Sequence, residues 1–127
     1  MKKFLMCVVL SVGFSALSYA NESEWDGSVL DDATIKKIQG AQFNYKSCVA
    51  KEMQKKGYAS IESRTATGAI IKQCEPVLAD MRKVYLEAKV PAVIADRHLK
   101  TMRIKLTRRL LKQLMYQEAA KAAGNIK

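Results

Sequence analysis

Residues 97–115 read RHLKTMRIKLTRRLLKQLM, and their spacing decides the fold. At about 100° per residue, Leu99, Met102, Leu106, Leu110 and Leu114 collect into a stripe about 120° wide, the width that a helix buries against a globular core. Ile104, Leu111 and Met115 form a second apolar edge, while Lys105, Arg108, Arg109 and Lys112 fall opposite the stripe. One segment thus carries a core face, a basic face and a further apolar contact surface. Seven cations stand between Arg97 and Lys112 with no acid among them. Exposed helices usually lace such charges with acids three or four residues away. That lacing is missing here, and the self-repulsion is uncompensated.

The same periodicity extends outward. Pro91 can open the helix and Gly124-Asn125 can stop it, so it is expected from about 91 to 123, close to 50 Å at ~1.5 Å per residue. Upstream, Ile35, Ile38, Gln42, Tyr45, Val49 and Met53 repeat at steps of three and four, which predicts a first helix over 31–56, capped by Asp31 or Asp32 and stopped by Gly57. Ala66, Ile70, Cys74, Val77, Met81, Tyr85 and Ala88 form the stripe of a second helix that ends at Val90-Pro91. Pro76 either kinks this helix or starts a separate one near Glu75. No strand-like alternation, glycine-rich loop or repeat occurs. The expected fold is therefore all-α: a three-helix bundle, or a disulfide-stapled helical hairpin plus a long basic C-terminal helix. Residues 31–123 form its single domain and 124–127 a frayed tail.

Residues 1–20 follow a different plan. Lys2 and Lys3 precede the apolar run Phe4–Leu17, and Ser18-Tyr19-Ala20 places small residues at −3 and −1 before Asn21. This is the pattern of a secretory signal peptide, and the run is shorter than the ~20 residues that cross a bilayer. Export to a bacterial periplasm or beyond is expected, with cleavage after Ala20. Residues 21–30 (NESEWDGSVL) then read as a flexible polar arm, whose Trp25 is expected to dock onto the bundle.

Cleavage would remove Cys7 and leave Cys48 and Cys74, which should pair in an oxidising compartment. Helix two is expected to start between Ser60 and Thr67; if helices one and two are antiparallel neighbours, the bond needs equal heights above their turn, which places that start near Ala66, and an earlier start requires that the helices cross obliquely. A redox role is the lesser reading, because a catalytic pair usually sits as Cys-x-x-Cys at a helix start.

The chain carries +10 from 22 Lys and Arg against 12 Asp and Glu. Taking away Lys2 and Lys3 leaves +8, of which residues 92–127 hold +7. Arg97, Lys105, Arg108, Arg109 and Lys112 are the expected binding face for an anionic partner. Outside the cytoplasm that partner is an acidic protein surface rather than nucleic acid, with anionic lipid or lipopolysaccharide as the alternative. His98 is the chain's one histidine. It is expected at a surface or interface, with no second histidine to complete a metal site. No catalytic or phosphate-binding motif occurs, so neither enzymatic activity nor a cofactor is expected. In compartment, charge and fold class the chain resembles small basic helical chaperones of the periplasm. It lacks their Leu-Thr-x-x-Gln repeat, because Leu106-Thr107-Arg108-Arg109 is followed by Leu110. The reading that results is an exported, non-enzymatic helical binding or adaptor protein.

Overall fold

The computed structural model describes residues 30–124 and is all-helical over that range. Helix α1 spans Asp32–Met53, a 3-10 turn covers Lys56–Ser60, α2 spans Ser63–Gln73, α3 Glu75–Glu87 and α4 Ala92–Ala122. Because α2 and α3 form one broken antiparallel return, the chain runs up through α1, down through α2 and α3, and up again through α4. Helix α1 packs mainly on α3 and α4 on α2 and α3, whereas α1 and α4 make little backbone contact.

Each helix end has a local cause. Asp31 caps α1 by accepting a hydrogen bond from the Thr34 N–H at 2.7 Å, and Glu62 caps α2 by accepting from the Thr65 N–H at 3.0 Å. Glu118, far along α4, accepts from both the backbone N–H and the hydroxyl of Ser63, tying the start of α2 to the end of the bundle. Pro76 does not kink a continuous helix two but divides it. It sits in the first turn of α3, where its missing N–H costs no helical bond, and Cys74 joins the two pieces. At the end of α3, Lys89 adopts φ 62°, and the N–H groups of Lys89 and Val90 reach back to the carbonyls of Leu86 and Tyr85. This is a Schellman closure, with the buried pair Val90 and Tyr85 as its apolar clasp.

Three expected boundaries move. Helix one ends at Met53 rather than near residue 56, because the chain tightens into the 3-10 turn, and Gly57 lies inside that turn instead of stopping an α-helix. Helix two begins at Ser63, inside the expected 60–67 stretch but three residues before the start near Ala66 that level antiparallel helices require. Leu30, placed in the arm by sequence, is half-buried and packs on the core. The expected signal peptide, the rest of the arm with Trp25, and residues 125–127 lie outside the described residues.

Tyr45, Ile70, Cys74 and Met81 are fully buried, and around them stand Val49, Ala66, Leu78 and Tyr85. Cys48 and Cys74 are bonded, with Cα atoms 5.9 Å apart. The staple therefore passes through the core, where it locks α1 to the α2–α3 joint. Helix α4 closes the bundle with Ala95, Leu99, Leu110 and Leu114 buried and Met102 and Leu106 partly so, which is the stripe read from sequence.

Candidate functional site

The sparse contact between α1 and α4 leaves a groove along the molecule, and both helices run in the same direction beside it. Its middle part is a trough of about 220 Å³ lined by Lys46 from α1 and by His98, Thr101, Met102, Lys105, Leu106 and Arg109 from α4. Met102 and Leu106 belong to the edge of the core stripe and make the floor apolar. Three permanent cations and no acid line the walls. Among the described residues, Lys46, Lys105 and Arg109 make no ion pair. Like charges confined to a concave site with low-dielectric walls focus the field, so an anion is drawn there more strongly than to cations spread over a convex surface.

His98 stands at the head of the trough and is held by a chain of hydrogen bonds. The Gln42 side-chain amide donates to the Tyr85 hydroxyl at 2.9 Å, and that hydroxyl lies 2.5 Å from His98 Nδ1. With its oxygen already accepting from Gln42, the Tyr85 hydroxyl has its proton free for His98 Nδ1. Burial raises the Tyr85 hydroxyl above the usual phenol range, which keeps it in the protonated form this chain needs. The chain joins α1, α3 and α4 and fixes the imidazole that borders the trough.

The sequence-predicted basic face is divided by this geometry. Lys105 and Arg109 line the trough; Lys112 follows Arg109 by one turn and lies over the Tyr116 ring, 5.8 Å from its centroid. Arg97 and Arg108 each lie about 100° around the helix from His98 and Arg109. They are exposed on the outer flank and are not brought to the trough. The expectation that repulsion along α4 is uncompensated also needs correction. Arg103 pairs with Glu75 of α3, donating through Nε at 2.7 Å, and across the same helix pair Arg82 bonds Asp96 at 2.6 Å. The acids missing from α4 at three and four residues are supplied to Arg103 by another helix. Lys46 escaped sequence reading because α1 was searched for its apolar stripe alone. Its position four residues after Gln42, on the edge of that stripe, is the signal that could have found it.

Outside the trough, Ile104, Arg108, Leu111 and Met115 follow one another along the opposite flank of α4. Ile104 is 38% and Met115 52% exposed, so the second apolar edge remains at the surface. Among the described residues there is no group of three or more His, Cys, Asp or Glu placed to hold a metal ion, and no helix long and apolar enough to cross a membrane. The chain matches no known family model, and neither curated proteins nor solved structures show a match to it.

Proposed function

We propose that this protein is an exported, non-enzymatic helical adaptor that engages an acidic protein surface through the groove between α1 and α4. The carrying observation is the trough itself. Lys46, Lys105 and Arg109 converge from two helices with no acid among the described lining residues, beside the hydrogen-bonded ring of His98. Export is supported by the leader-like sequence of residues 1–20 and by the Cys48–Cys74 bond, which an oxidising compartment sustains. A concave charged trough with an apolar floor suits a protruding carboxylate-bearing segment. A flat lipid surface would reach its lysine and arginine tips but not its floor.

The test is zero-length carbodiimide coupling in cell-envelope extract, which joins lysine amines to carboxylates in direct contact. Cross-links from Lys46 and Lys105 to one acidic protein are expected, and changing Lys46, Lys105 and Arg109 to Gln should abolish capture of that protein. Capture that survives all three changes would refute the reading. The outer flank supports a second reading, a peripheral binder of anionic lipid or lipopolysaccharide, because exposed Ile104 and Met115 flank Arg108 there. Co-sedimentation with anionic vesicles that is lost with Arg108→Gln and retained by the trough variant would favour it.

A further inference from the structure

Above His98 the groove changes character. Leu30, Ile35, Ile38, Gln42, Tyr85, Val90 and Ile94 surround a slot of about 450 Å³, and His98 forms its boundary with the trough. Ile35 is 37% exposed, so an apolar wall faces solvent among the described residues. The slot and the trough adjoin at His98, which lines both, and together they form a track from Ile35 to Lys46 on α1 and from Ile94 to Arg109 on α4. It is apolar at one end and cationic at the other. We infer that the occupant of this track is the chain's own segment 21–29, with Trp25 in the slot and Glu22 and Glu24 directed to Lys46, Lys105 and Arg109.

Three observations carry the assignment. The first is position: Leu30 is itself a wall of the slot, so residue 29 and those before it depart from the slot's mouth. The second is reach. Trp25 lies five residues before Leu30 and can extend ~16 Å, and Glu22 lies eight residues before it and can extend ~26 Å. Along α1, Ile38 is ~9 Å and Lys46 ~21 Å beyond Asp32 at ~1.5 Å per residue, so the aromatic residue reaches the slot and the acids reach the trough. The third is complementarity. The segment NESEWDGSV contains Glu22, Glu24 and Asp26 with no lysine or arginine around the chain's one tryptophan, and the track offers three cationic side chains with no acid among its described lining residues beside an apolar slot. An aromatic ring that buries ~150–250 Å² is the side chain best suited to such a slot. Tethering to the slot's wall also gives the segment an effective concentration on the order of millimolar, so modest contacts suffice to keep it in place.

The inference uses the shape of the groove and no outside partner, so it stands or falls separately from the adaptor reading. If both hold, an acidic partner and residues 21–29 compete for the same cations.

Because Trp25 is the chain's one tryptophan, its fluorescence in the protein recovered from cells reports on this contact alone. The expected result is blue-shifted emission shielded from acrylamide. Ile35→Glu, a change at an exposed wall that leaves helicity and melting intact, should shift the emission to the red and open Trp25 to the quencher. Reversing Glu22, Glu24 and Asp26 to Lys should do the same without touching the bundle. Emission and quenching matching those of a free tryptophan amide would overturn the inference. So would shielding that neither set of changes alters. Shielding that disappears on dilution would assign the slot to a second copy of the chain and overturn the intramolecular contact.

Discussion

Helix α1 has two seams, and they are built in opposite ways. Toward α2 and α3 it presents Tyr45, Val49 and Cys48, which meet Ile70, Cys74, Met81 and Tyr85 in a dry core crossed by a covalent bond. Toward α4 it presents Gln42 and Lys46, and what it meets there is His98, Lys105 and Arg109 around open volume. One face of a single helix is thus packed into the core and the other borders open volume. Residues that stabilise and residues that bind should therefore separate cleanly in mutation experiments.

The largest effect should come from the closed seam. Replacing both Cys48 and Cys74 by Ala removes a cross-link between residues 26 apart in sequence. In the chain-entropy model this costs about 3.5 kcal/mol. For a domain of this size such a loss lowers the melting temperature by on the order of 15 °C. Changing Lys46, Lys105 and Arg109 to Gln should leave the melting temperature of the bundle unchanged or slightly raised, because these cations make no ion pair among the described residues. If the trough variant lost as much stability as the cysteine variant, the separation of the two seams would fail.

A smaller effect of opposite sign tests the closed seam from within. The Tyr45 hydroxyl is fully buried with no hydrogen-bond partner among the described residues, and burial pushes its ionisation above the usual phenol range. Leaving a buried hydroxyl unpaired costs on the order of 1–3 kcal/mol, so Tyr45→Phe should stabilise the protein by about 1 kcal/mol in denaturant titration. A loss of stability would mean that the hydroxyl is satisfied and that this seam is wetter than its packing implies.

Outside both seams, the helix caps and the pair between α3 and α4 respond to acid. A hydrogen bond from Thr34 holds the Asp31 carboxyl below its ordinary value of 3.8, one from the Thr65 N–H holds Glu62 below 4.5, and the Arg82 guanidinium lowers Asp96. The folded state binds these protons less readily than the unfolded one. The stability they contribute is therefore complete above the ordinary carboxylate range and is lost as pH falls through the lowered values. Below the ordinary carboxylate range the caps of α1 and α2 should weaken, with a modest decline in melting temperature. Asp31→Asn, which can still cap, should flatten part of that decline.

Sequence made the closed seam far more legible than the open one. Apolar residues at steps of three and four, two cysteines on facing stripes, and a proline with glycine at the ends of α4 each have a strong local cause, so the helices and the disulfide could be read directly. The break at Pro76 was open to two readings, because a proline in a first turn and a proline in a kink look alike until its neighbours' bonds are known. The trough depends on how two helices far apart in sequence are turned toward each other. Lys105 and Arg109 could be picked out as basic. Nothing in one helix's pattern says that Lys46 of another joins them while Arg97 and Arg108 do not. The role of Glu75 as the acid for Arg103 was hidden for the same reason.

The central claim is that anions are received by the trough and not by α4's whole basic surface. The most direct measurement is an amide chemical-shift titration of the folded protein with poly-L-glutamate at low salt. Shifts should concentrate at Lys46, His98, Thr101, Lys105 and Arg109, and should fade as added salt shortens screening from ~10 Å at 0.1 M to ~3 Å at 1 M. Shifts centred on Arg97 and Arg108, or spread evenly over every lysine and arginine, would contradict it.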